Sequence, residues 1–202
     1  HKAARVMSSR SAQDIYVGLV SKHPNPQTLV INGIEPDTCL IGNTPDFTAL
    51  DDIQQMMALD TLSYLPEGVL TKLDRASMAV SLEGRAPFLD HRVFEFAWQL
   101  PLSMKMQGND SKWILRQILY KYVPQALIDR PKMGFGVPLR DWLCGPLREW
   151  AETLLDEQRL VQEGYFNVPA VRALWAQHAG GRYDRSGILW AILMFQAWLQ
   201  EQ

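Results

Sequence analysis

The chain has 202 residues and a formal net charge of −2, with 47% hydrophobic and 21% charged residues. This balance is typical of a folded globular protein, and the charge gives no general reason to expect a nucleic acid as a partner. No apolar run reaches the ~18–20 residues that a membrane-spanning helix needs. The two cysteines and four histidines are scattered, which argues against a metal site and predicts two reduced thiols in a cytoplasmic protein.

The N-terminal part combines helical periodicity with one long connection. Apolar spacing predicts helices over residues 2–9 and 13–22. Residues 23–47 are rich in Pro, Gly and Asn, and predict a loop excursion with a short extended stretch at 29–31.

The next segment predicts two separate helices. Thr48 and Asp51 resemble a capping box, which predicts a helix that runs to about Ser63. Pro66 is tolerated in the first turn of a helix and predicts the start of a second one, which ends at residues 84–87.

Helix signals continue through the rest of the chain. Asp90 is a good N-cap for a helix over residues 91–99. The pattern then predicts, in order, a turn over 101–110, an amphipathic helix over 112–122, a helical turn from Pro124, a loop over 130–137, and helices over 139–143, 147–155, 169–178 and 186–200. Because strand signals are few, the sequence predicts a mainly α chain.

The first candidate for chemistry is residues 64–77, which place charged side chains on an otherwise apolar helix. Glu67 and Asp74 lie seven residues apart, so they share a face of a regular helix. Two carboxylates on one face are suited to a metal, a cationic group or a neighbouring arginine. The alternative is a solvated polar face with ordinary ion pairs.

The second candidate is residues 82–90, where Arg85 stands two residues before Pro87 in a stretch that must leave helical geometry. An arginine on such a turn suits bidentate binding of a carboxylate or a phosphate. The alternative is that Arg85 pairs with Glu83 or Asp90 and fixes the turn.

The third candidate is residues 130–138. Gly134 and Gly136 allow the backbone to approach a ligand closely, and Lys132 adds a mobile positive charge. Phosphoryl and adenylyl transfer need cations directed at the charge that develops in the transition state. The segment lacks the Gly-Lys-Ser/Thr ending of a Walker A loop, and the alternative is a plain flexible loop.

Taken in order, these segments resemble the asparagine synthase domain of glutamine-dependent asparagine synthetases and their amidotransferase relatives. The matching segments are Tyr64-Leu-Pro-Glu-Gly, Lys72-Leu-Asp-Arg-Ala-Ser-Met-Ala79, Leu82-Glu-Gly-Arg-Ala-Pro-Phe-Leu-Asp-His91, Lys112-Trp-Ile-Leu-Arg116 and Arg130-Pro-Lys-Met-Gly-Phe-Gly-Val-Pro138. The family pattern for the first of these is Tyr-Leu-Pro-Asp-Asp. The likeness is dense over residues 48–145 and weaker on either side.

The resemblance implies that residues 1–202 are the C-terminal, mainly α portion of an α/β synthetase domain of the adenine-nucleotide-hydrolase-like, PP-loop ATP pyrophosphatase type. Residues 146–202 would be its C-terminal helical extension. Such enzymes use Mg-ATP to adenylate the side-chain carboxylate of aspartate, with release of pyrophosphate. Ammonia, which a separate domain releases from glutamine, then attacks the acyl carbon.

The resemblance also implies roles for the candidate residues. Lys132 stands at the position of the family's catalytic loop lysine, where it would neutralise charge on the α-phosphate as pyrophosphate leaves. Asp74 and Glu67 would support catalysis by orienting Lys132 or the substrate. Arg85 and the glycines of the third segment, Gly134 and Gly136, would contribute to substrate and phosphate binding.

The sequence also departs from the family. It contains no Ser-Gly-Gly-x-Asp-Ser pyrophosphate loop, no Gly-Asp/Glu-Gly-x-Asp-Glu acidic motif and no N-terminal cysteine glutaminase. Since the chain opens as if within a helix, we interpret it as a piece of a longer protein, with ATP and Mg bound mainly upstream. The piece alone is then expected to lack synthetase activity and to bind ATP at most weakly, and its uncovered apolar faces favour homo-oligomers.

Several alternatives stay open at this point. Family relatives make asparagine, amidate sugar precursors of surface polysaccharide or close lactam rings, and the sequence does not identify the acceptor. A second hypothesis is a non-catalytic helical interaction module. A third, weaker one is nucleic-acid binding by the net positive stretch 112–148, although no recognition motif accompanies it.

Overall fold

The computed structural model describes residues 7–130 and 136–202. The chain divides into two compact units, the first formed by His1–Thr44 with Phe135–Gln202 and the second by Pro45–Gly134. Helices dominate the described residues of both units, which confirms the mainly α prediction. Within those residues, no helix combines the length and apolar character required to span a bilayer.

The described elements follow one another in chain order, with one long connection between Thr28 and Asp52. The α-helices are α1 Ala12–Val20, α2 Asp52–Leu62, α3 Thr71–Met78, α4 His91–Gln99, α5 Leu102–Lys105, α6 Trp113–Leu119, α7 Gln125–Ile128, α8 Leu139–Cys144, α9 Arg148–Leu154, α10 Glu157–Glu163, α11 Val168–Ala179 and α12 Ser186–Gln200. A π-helix, Tyr64–Leu70, joins α2 to α3, and short 3-10 turns cover Pro26–Thr28 and Pro87–Leu89. The antiparallel strands β1 Met106–Gln107 and β2 Asp110–Ser111 form a hairpin.

The core of the first unit is built around α12, which is apolar on most of its surface. Leu189, Ile192 and Leu193 of this helix are buried. They belong to a cluster that also includes Leu29, Leu143, Ala151, Leu154, Leu155, Leu160, Phe166, Val171 and Trp175. Gln196 is the polar exception on α12, and its buried amide donates to the carbonyl of Leu154 at 3.2 Å and to the carboxylate of Glu163.

The predicted loop excursion, residues 23–47, is anchored to this core at one end. Leu29 is buried, and its carbonyl accepts a hydrogen bond from the N–H of Asn167 at 2.8 Å. Val30 forms an isolated antiparallel bridge with Phe166, whereas Leu29 has right-handed helical dihedral angles and Ile31 lies in a turn, so the extended stretch predicted over 29–31 is reduced to one residue. Its pairing partner is a segment more than one hundred residues later in the sequence, which periodicity does not indicate.

The second unit buries few of its side chains. Between residues 45 and 130, the buried residues are Ala58, Leu59 and Ser63. Large apolar side chains are exposed throughout this unit, including Met78, Val80, Leu82, Phe88, Phe96, Tyr122 and Leu127. An apolar surface of this extent favours association with another surface.

The start of α2 differs in detail from the sequence prediction. The capping box is formed by Asp51 and Gln54: the Asp51 carboxylate accepts the Gln54 N–H at 2.8 Å, and the Gln54 side-chain oxygen accepts the Asp51 N–H at 3.2 Å. Thr48 donates its hydroxyl to Asp46 instead, at 2.7 Å. The predicted helix is therefore confirmed, but the predicted capping box of Thr48 and Asp51 is wrong.

Other predicted bounds also shift. Residues 7–9 are not helical, and residues 2–6 of the same predicted helix lie outside the described part of the chain. Lys112 has φ 60° and precedes α6 rather than belonging to it. The turn predicted over 101–110 contains α5 and the hairpin, and a helix that the sequence analysis did not predict, α10, follows α9.

Candidate functional site

The first motif lies on a helix that changes its winding. Pro66 lies in the first turn of the π-helix Tyr64–Leu70, which is separated from α2 by Ser63 (φ −124°, ψ −73°) and leads directly into α3. The predicted second helix is therefore present, but it begins two residues before Pro66. Proline has no N–H to donate, which is tolerated in the first turn of a helix. The carbonyl of Pro66 accepts hydrogen bonds from the N–H and the hydroxyl of Thr71. Single π turns inside α-helices occur often at functional sites.

Gly68 of this π turn stands where the family pattern has its second aspartate. A Cβ atom built on Gly68 would lie 3.0 and 3.1 Å from two ring carbons of Tyr64. The tyrosine ring therefore covers the position at which the family pattern carries a carboxylate, and a side chain there would require the ring to shift. Glu67, the remaining acidic residue of this motif, is exposed.

Glu67 and Asp74 are not joined by a contact in the described structure. The expectation that they share a face rests on a regular α-helical period, and the π turn interrupts that period between them. Asp74 pairs with its neighbour Arg75 at 2.8 Å, with both side chains largely exposed. Exposed pairs of this kind contribute little to stability. The carboxylates of Asp74 and Glu67 are both exposed and therefore accessible to an outside partner.

Arg85 of the second motif pairs with Glu83 at 3.0 Å, which is one of the two partners that the sequence analysis considered. The side chains are 82% and 66% exposed, respectively. Asp90, the other partner considered, instead accepts hydrogen bonds from the Arg92 side chain and from the Arg92 N–H, and these lower the pKa of Asp90. The guanidinium of Arg85 therefore binds an exposed carboxylate, that of Glu83, which an anionic ligand could displace.

The third motif is described only at its ends. Lys132 and Gly134 lie outside the described residues. Gly136 is exposed, and a Cβ atom built on it would meet no atom within 4 Å. Packing in the described part of the chain therefore does not require glycine at this position.

A cluster of polar side chains that the sequence analysis did not predict is centred on Asp129, directly before the third motif. Its Oδ1 accepts from the Arg116 guanidinium at 2.6 Å and from the Tyr120 hydroxyl at 2.7 Å, and its Oδ2 accepts from the Gln125 amide at 2.6 Å. These bonds, that from Tyr120 foremost, lower the pKa of Asp129. The sequence signal that could have indicated part of this cluster is the four-residue spacing, between Arg116 and Tyr120 and between Gln125 and Asp129, which places two side chains on one face of a helix.

Metal-ligating side chains are not grouped in the described part of the chain. Among the described residues, no group of three or more His, Cys, Asp or Glu side chains is placed to hold a metal ion. A shallow groove beside α4 is lined by Pro87, Asp90, Arg92, Val93 and Phe96. Its lining carries one carboxylate and one guanidinium that already bind each other.

Comparisons with known proteins identify the family. The sequence model of the family described as asparagine synthase matches residues 1–200. Over 151 residues, the chain is 32% identical to asparagine synthetase [glutamine-hydrolyzing] 1 of Bacillus subtilis, covering 75% of this chain and 24% of that protein. A provisionally named glutamine-hydrolyzing asparagine synthetase of Mycobacterium bovis is 38% identical over 150 residues, which cover 73% of this chain and 22% of that protein.

A more distant relative carries a different name. Amidase chyE of Penicillium rubens is 28% identical over 145 residues, which cover 68% of this chain and 21% of that protein. The chain thus spans less than a quarter of the length of these curated relatives. No solved structure matches it. The match of the family model over nearly its whole length shows that the chain belongs to the asparagine synthase family.

Proposed function

We propose that this chain is the C-terminal, helical part of the synthetase domain of an ATP-dependent amide-forming ligase. The ligase adenylates a carboxylate and transfers glutamine-derived ammonia to the activated carbon. The observation that carries this proposal is the family match over residues 1–200 together with the intact third motif around Lys132.

Lys132 is assigned the main catalytic role within this chain. Departure of pyrophosphate leaves negative charge to be balanced near the α-phosphate, and a positioned cation stabilises that charge in the transition state. Gly134 and Gly136 give the same segment the backbone freedom to approach the nucleotide. The position of Arg116 in a matched motif and its bond to Asp129 support a fixed starting point for the segment at residue 129.

Supporting roles are assigned to three exposed residues of the other motifs. Glu67 and Asp74 would orient a cationic group, such as Lys132 or the substrate amine. Arg85 would bind a carboxylate or a phosphate after exchange of its exposed bond to Glu83. Exposure of the Arg85 and Glu83 side chains supports this assignment, because little has to be displaced for a ligand to bind.

ATP is a substrate of the proposed reaction, and Mg is its expected cofactor. Among the described residues, no three metal-ligating side chains are grouped, so they form no dedicated cage for Mg, and a nucleotide-bound Mg²⁺ takes most of its ligands from phosphate oxygens and waters. The sequence also contains no Ser-Gly-Gly-x-Asp-Ser loop for pyrophosphate. We therefore assign the metal and most of the phosphate contacts to residues outside this chain, and no step of the proposal runs through the metal.

Aspartate is the acceptor that the asparagine synthetase relatives favour, and asparagine is then the product. The relative named as an amidase supports a second candidate, a ligase that amidates a different carboxylate. The two candidates are distinguished by pyrophosphate release from ATP in the enzyme that carries this chain, with aspartate compared against a panel of other carboxylates. Release that depends on aspartate supports the first candidate, and release with another carboxylate alone supports the second.

The same assay with the isolated chain tests the assignment of the nucleotide contacts. We expect no conversion of ATP to AMP by the chain alone, because the phosphate contacts are assigned elsewhere. Conversion of ATP to AMP by the purified chain that disappears in Lys132→Ala would contradict this assignment. No carboxylate-dependent pyrophosphate release in the complete enzyme would instead favour a non-catalytic helical module.

A further inference from the structure

Helix α4 of the second unit is apolar around a large part of its circumference. Its apolar side chains stand at positions 93, 94, 96, 97 and 98. At the α-helical repeat these positions span about 200°, against the roughly 100° stripe of a surface helix. A helix with so wide an apolar surface is typical of one that packs between two neighbours.

One side of α4 already has its neighbour. The rings of Phe94 and Trp98 lie together, with 6.2 Å between their centroids. Lys105 of α5 lies over the Trp98 ring, with Nζ 5.0 Å from the centroid, and donates to the Trp98 carbonyl at 3.5 Å. A cation over an aromatic ring at this distance is attracted by it, so this side of α4 is occupied by α5.

The other side of α4 is open in the described structure. Val93 and Phe96 are three residues apart and share a face of the helix, and they are 40% and 58% exposed. They line a groove, here named the α4 groove, whose other residues are Pro87, Asp90 and Arg92. Phe88, directly after Pro87 in the chain, is 65% exposed. Large apolar side chains are therefore grouped here without a covering surface.

The two charges of the α4 groove neutralise each other. The Arg92 guanidinium donates to both carboxylate oxygens of Asp90, from Nε at 3.0 Å and from Nη2 at 2.8 Å. A bidentate pair of this kind satisfies the carboxylate. The rest of the lining is apolar, so the surface that fits the groove is apolar and uncharged.

The accessible surface of the chain is larger than its mass predicts. The chain exposes 14,892 Å² at a mass of 23.0 kDa. A compact protein of this mass exposes about 9,600 Å², and two separate compact units of half the mass together expose about 11,600 Å². For any placement of the two units, the excess is therefore at least about 3,300 Å².

This excess is of the size that a permanent interface buries. One partner of an obligate interface contributes about 1,000–2,500 Å². The second unit, in which three residues between 45 and 130 are buried, contributes to the excess through α4 and the other exposed apolar side chains. The area is therefore sufficient for a stable interface on this unit.

The position of the α4 groove in the sequence indicates its occupant. Pro87, Phe88 and Asp90 belong to the segment 82–91, one of those that match the family. Exposed apolar side chains within a family motif require a covering surface that the enzymes of this family themselves supply. The chain spans less than a quarter of the length of its curated relatives, so most of such an enzyme lies outside it.

We propose that the α4 groove is the docking surface for an apolar, uncharged face of the part of the enzyme that holds the phosphate contacts. The identity of this occupant rests on the proposed function, which assigns those contacts to residues outside this chain. Docking brings the phosphate contacts to the unit that carries Glu67, Asp74 and Arg85. The synthetase site is then complete only when the groove is filled.

Hydroxyl-radical footprinting tests this occupant, with oxidation of Phe88 and Phe96 measured by peptide mass spectrometry in the complete enzyme and in the isolated chain. We expect both phenylalanines to lose most of their oxidation in the complete enzyme, and to be oxidised in the isolated chain at every protein concentration. Equal oxidation in the two samples would overturn the proposal. Protection in the isolated chain that increases with its concentration would also overturn it, because the occupant would then be a second copy of this chain.

Footprinting requires no catalytic activity, so the docking and the proposed function are tested separately. Carboxylate-dependent pyrophosphate release by an enzyme whose Phe88 and Phe96 are oxidised as in the isolated chain would reject the docking and retain the function. Protection of both residues without any such release would retain the docking and reject the function.

A variant tests the energetic role of Phe96. Phe96→Ser removes a ring that is exposed in the isolated chain and covered in the complete enzyme. It should lower the urea midpoint of the complete enzyme and leave that of the isolated chain unchanged. Val161→Ser, at an exposed apolar residue of the first unit, is the matched control and should leave both midpoints unchanged. A Phe96→Ser enzyme with the midpoint of its parent would contradict the burial of this ring by docking.

Discussion

The guanidinium of Arg116 lies 2.6 Å from the carboxylate of Asp129 and joins α6 to the residue directly before the third motif. Tyr120 and Gln125 donate to the same carboxylate. Asp129 is therefore held by three donors, one on α6, one directly after α6 and one on α7. In the proposed function, this cluster would hold the residue from which the segment carrying Lys132 starts.

Asp129→Asn should remove a pH-dependent contribution to stability. The pKa of Asp129 is lower in the folded chain than in the unfolded one. Its contribution is therefore fully present above about pH 4, the ordinary carboxyl range, and is lost as the pH falls through the folded value. Urea midpoints at neutral and at acid pH measure this change. The variant should have a lower urea midpoint than the parent at neutral pH, and its midpoints at neutral and acid pH should differ less than those of the parent.

Glu95→Gln, at an exposed carboxylate on α4, is the control for this experiment. It should leave the urea midpoint at neutral pH unchanged. An Asp129→Asn chain with the same midpoints as the parent at both pH values would contradict the role given to the cluster.

The observed capping box of α2, Asp51 with Gln54, and the predicted one, Thr48 with Asp51, imply different effects of mutation. Because the Asp51 carboxylate accepts the Gln54 N–H, Asp51→Ala should destabilise the chain by about 1 kcal/mol. Thr48→Ala loses only an exposed bond to Asp46 and should have a smaller effect. Urea unfolding of both variants, followed by helical circular dichroism, compares the two. A larger loss of stability in Thr48→Ala than in Asp51→Ala would instead support the predicted capping box of Thr48 and Asp51.

The sequence predicts an element well where its signals are local. α4 and α12 have the predicted bounds, because an Asp90 cap defines one and a continuous apolar pattern defines the other. α10 had equivalent signals, an Asp156 cap and a terminal Gly164 with φ 74°, and these could have predicted it. The π winding around Pro66 could not be predicted in this way, because proline in the first turn indicates the start of a helix but not its winding.

The candidate site was predictable as a set of motifs but not as a set of contacts. Five segments in order were enough to indicate the family, which the comparisons show. The pairing of Arg85 with Glu83 was one of two alternatives that the sequence left open. The cluster around Asp129 was missed because it joins two helices across a turn, and only the folded chain brings its four members together.

Leu193→Ala should strongly destabilise the first unit. Leu193 is 0% exposed in the core around α12, and truncation of a fully buried leucine typically costs about 2–5 kcal/mol. Met194→Ala on the same helix is the matched control, because Met194 is 39% exposed and should cost much less. Urea unfolding of the two variants measures the difference. Equal losses in both would contradict the burial of Leu193.

His178 should make the first unit less stable in mild acid. Burial lowers the pKa of His178 in the folded chain, so the unfolded chain binds the proton more readily. The stability contribution is therefore fully present above about pH 6.5 and is lost as the pH falls below it. Thermal midpoints at pH 7 and pH 5 should differ less in His178→Gln than in the parent chain. His91→Gln, at an exposed histidine, should retain the parent's difference, and loss of the difference in this control would contradict the assignment to His178.

The most direct test of the proposed function is the rate of carboxylate-dependent pyrophosphate release by the enzyme that carries this chain, measured for Lys132→Ala. Lys121→Ala, at an exposed lysine outside the motifs, is the control and should retain the parent rate. Removal of a group that stabilises transition-state charge lowers a rate by about 10²–10³-fold, and a loss of this size is predicted for Lys132→Ala alone. A Lys132→Ala enzyme that releases pyrophosphate at the rate of the Lys121→Ala control would contradict the function proposed for this chain.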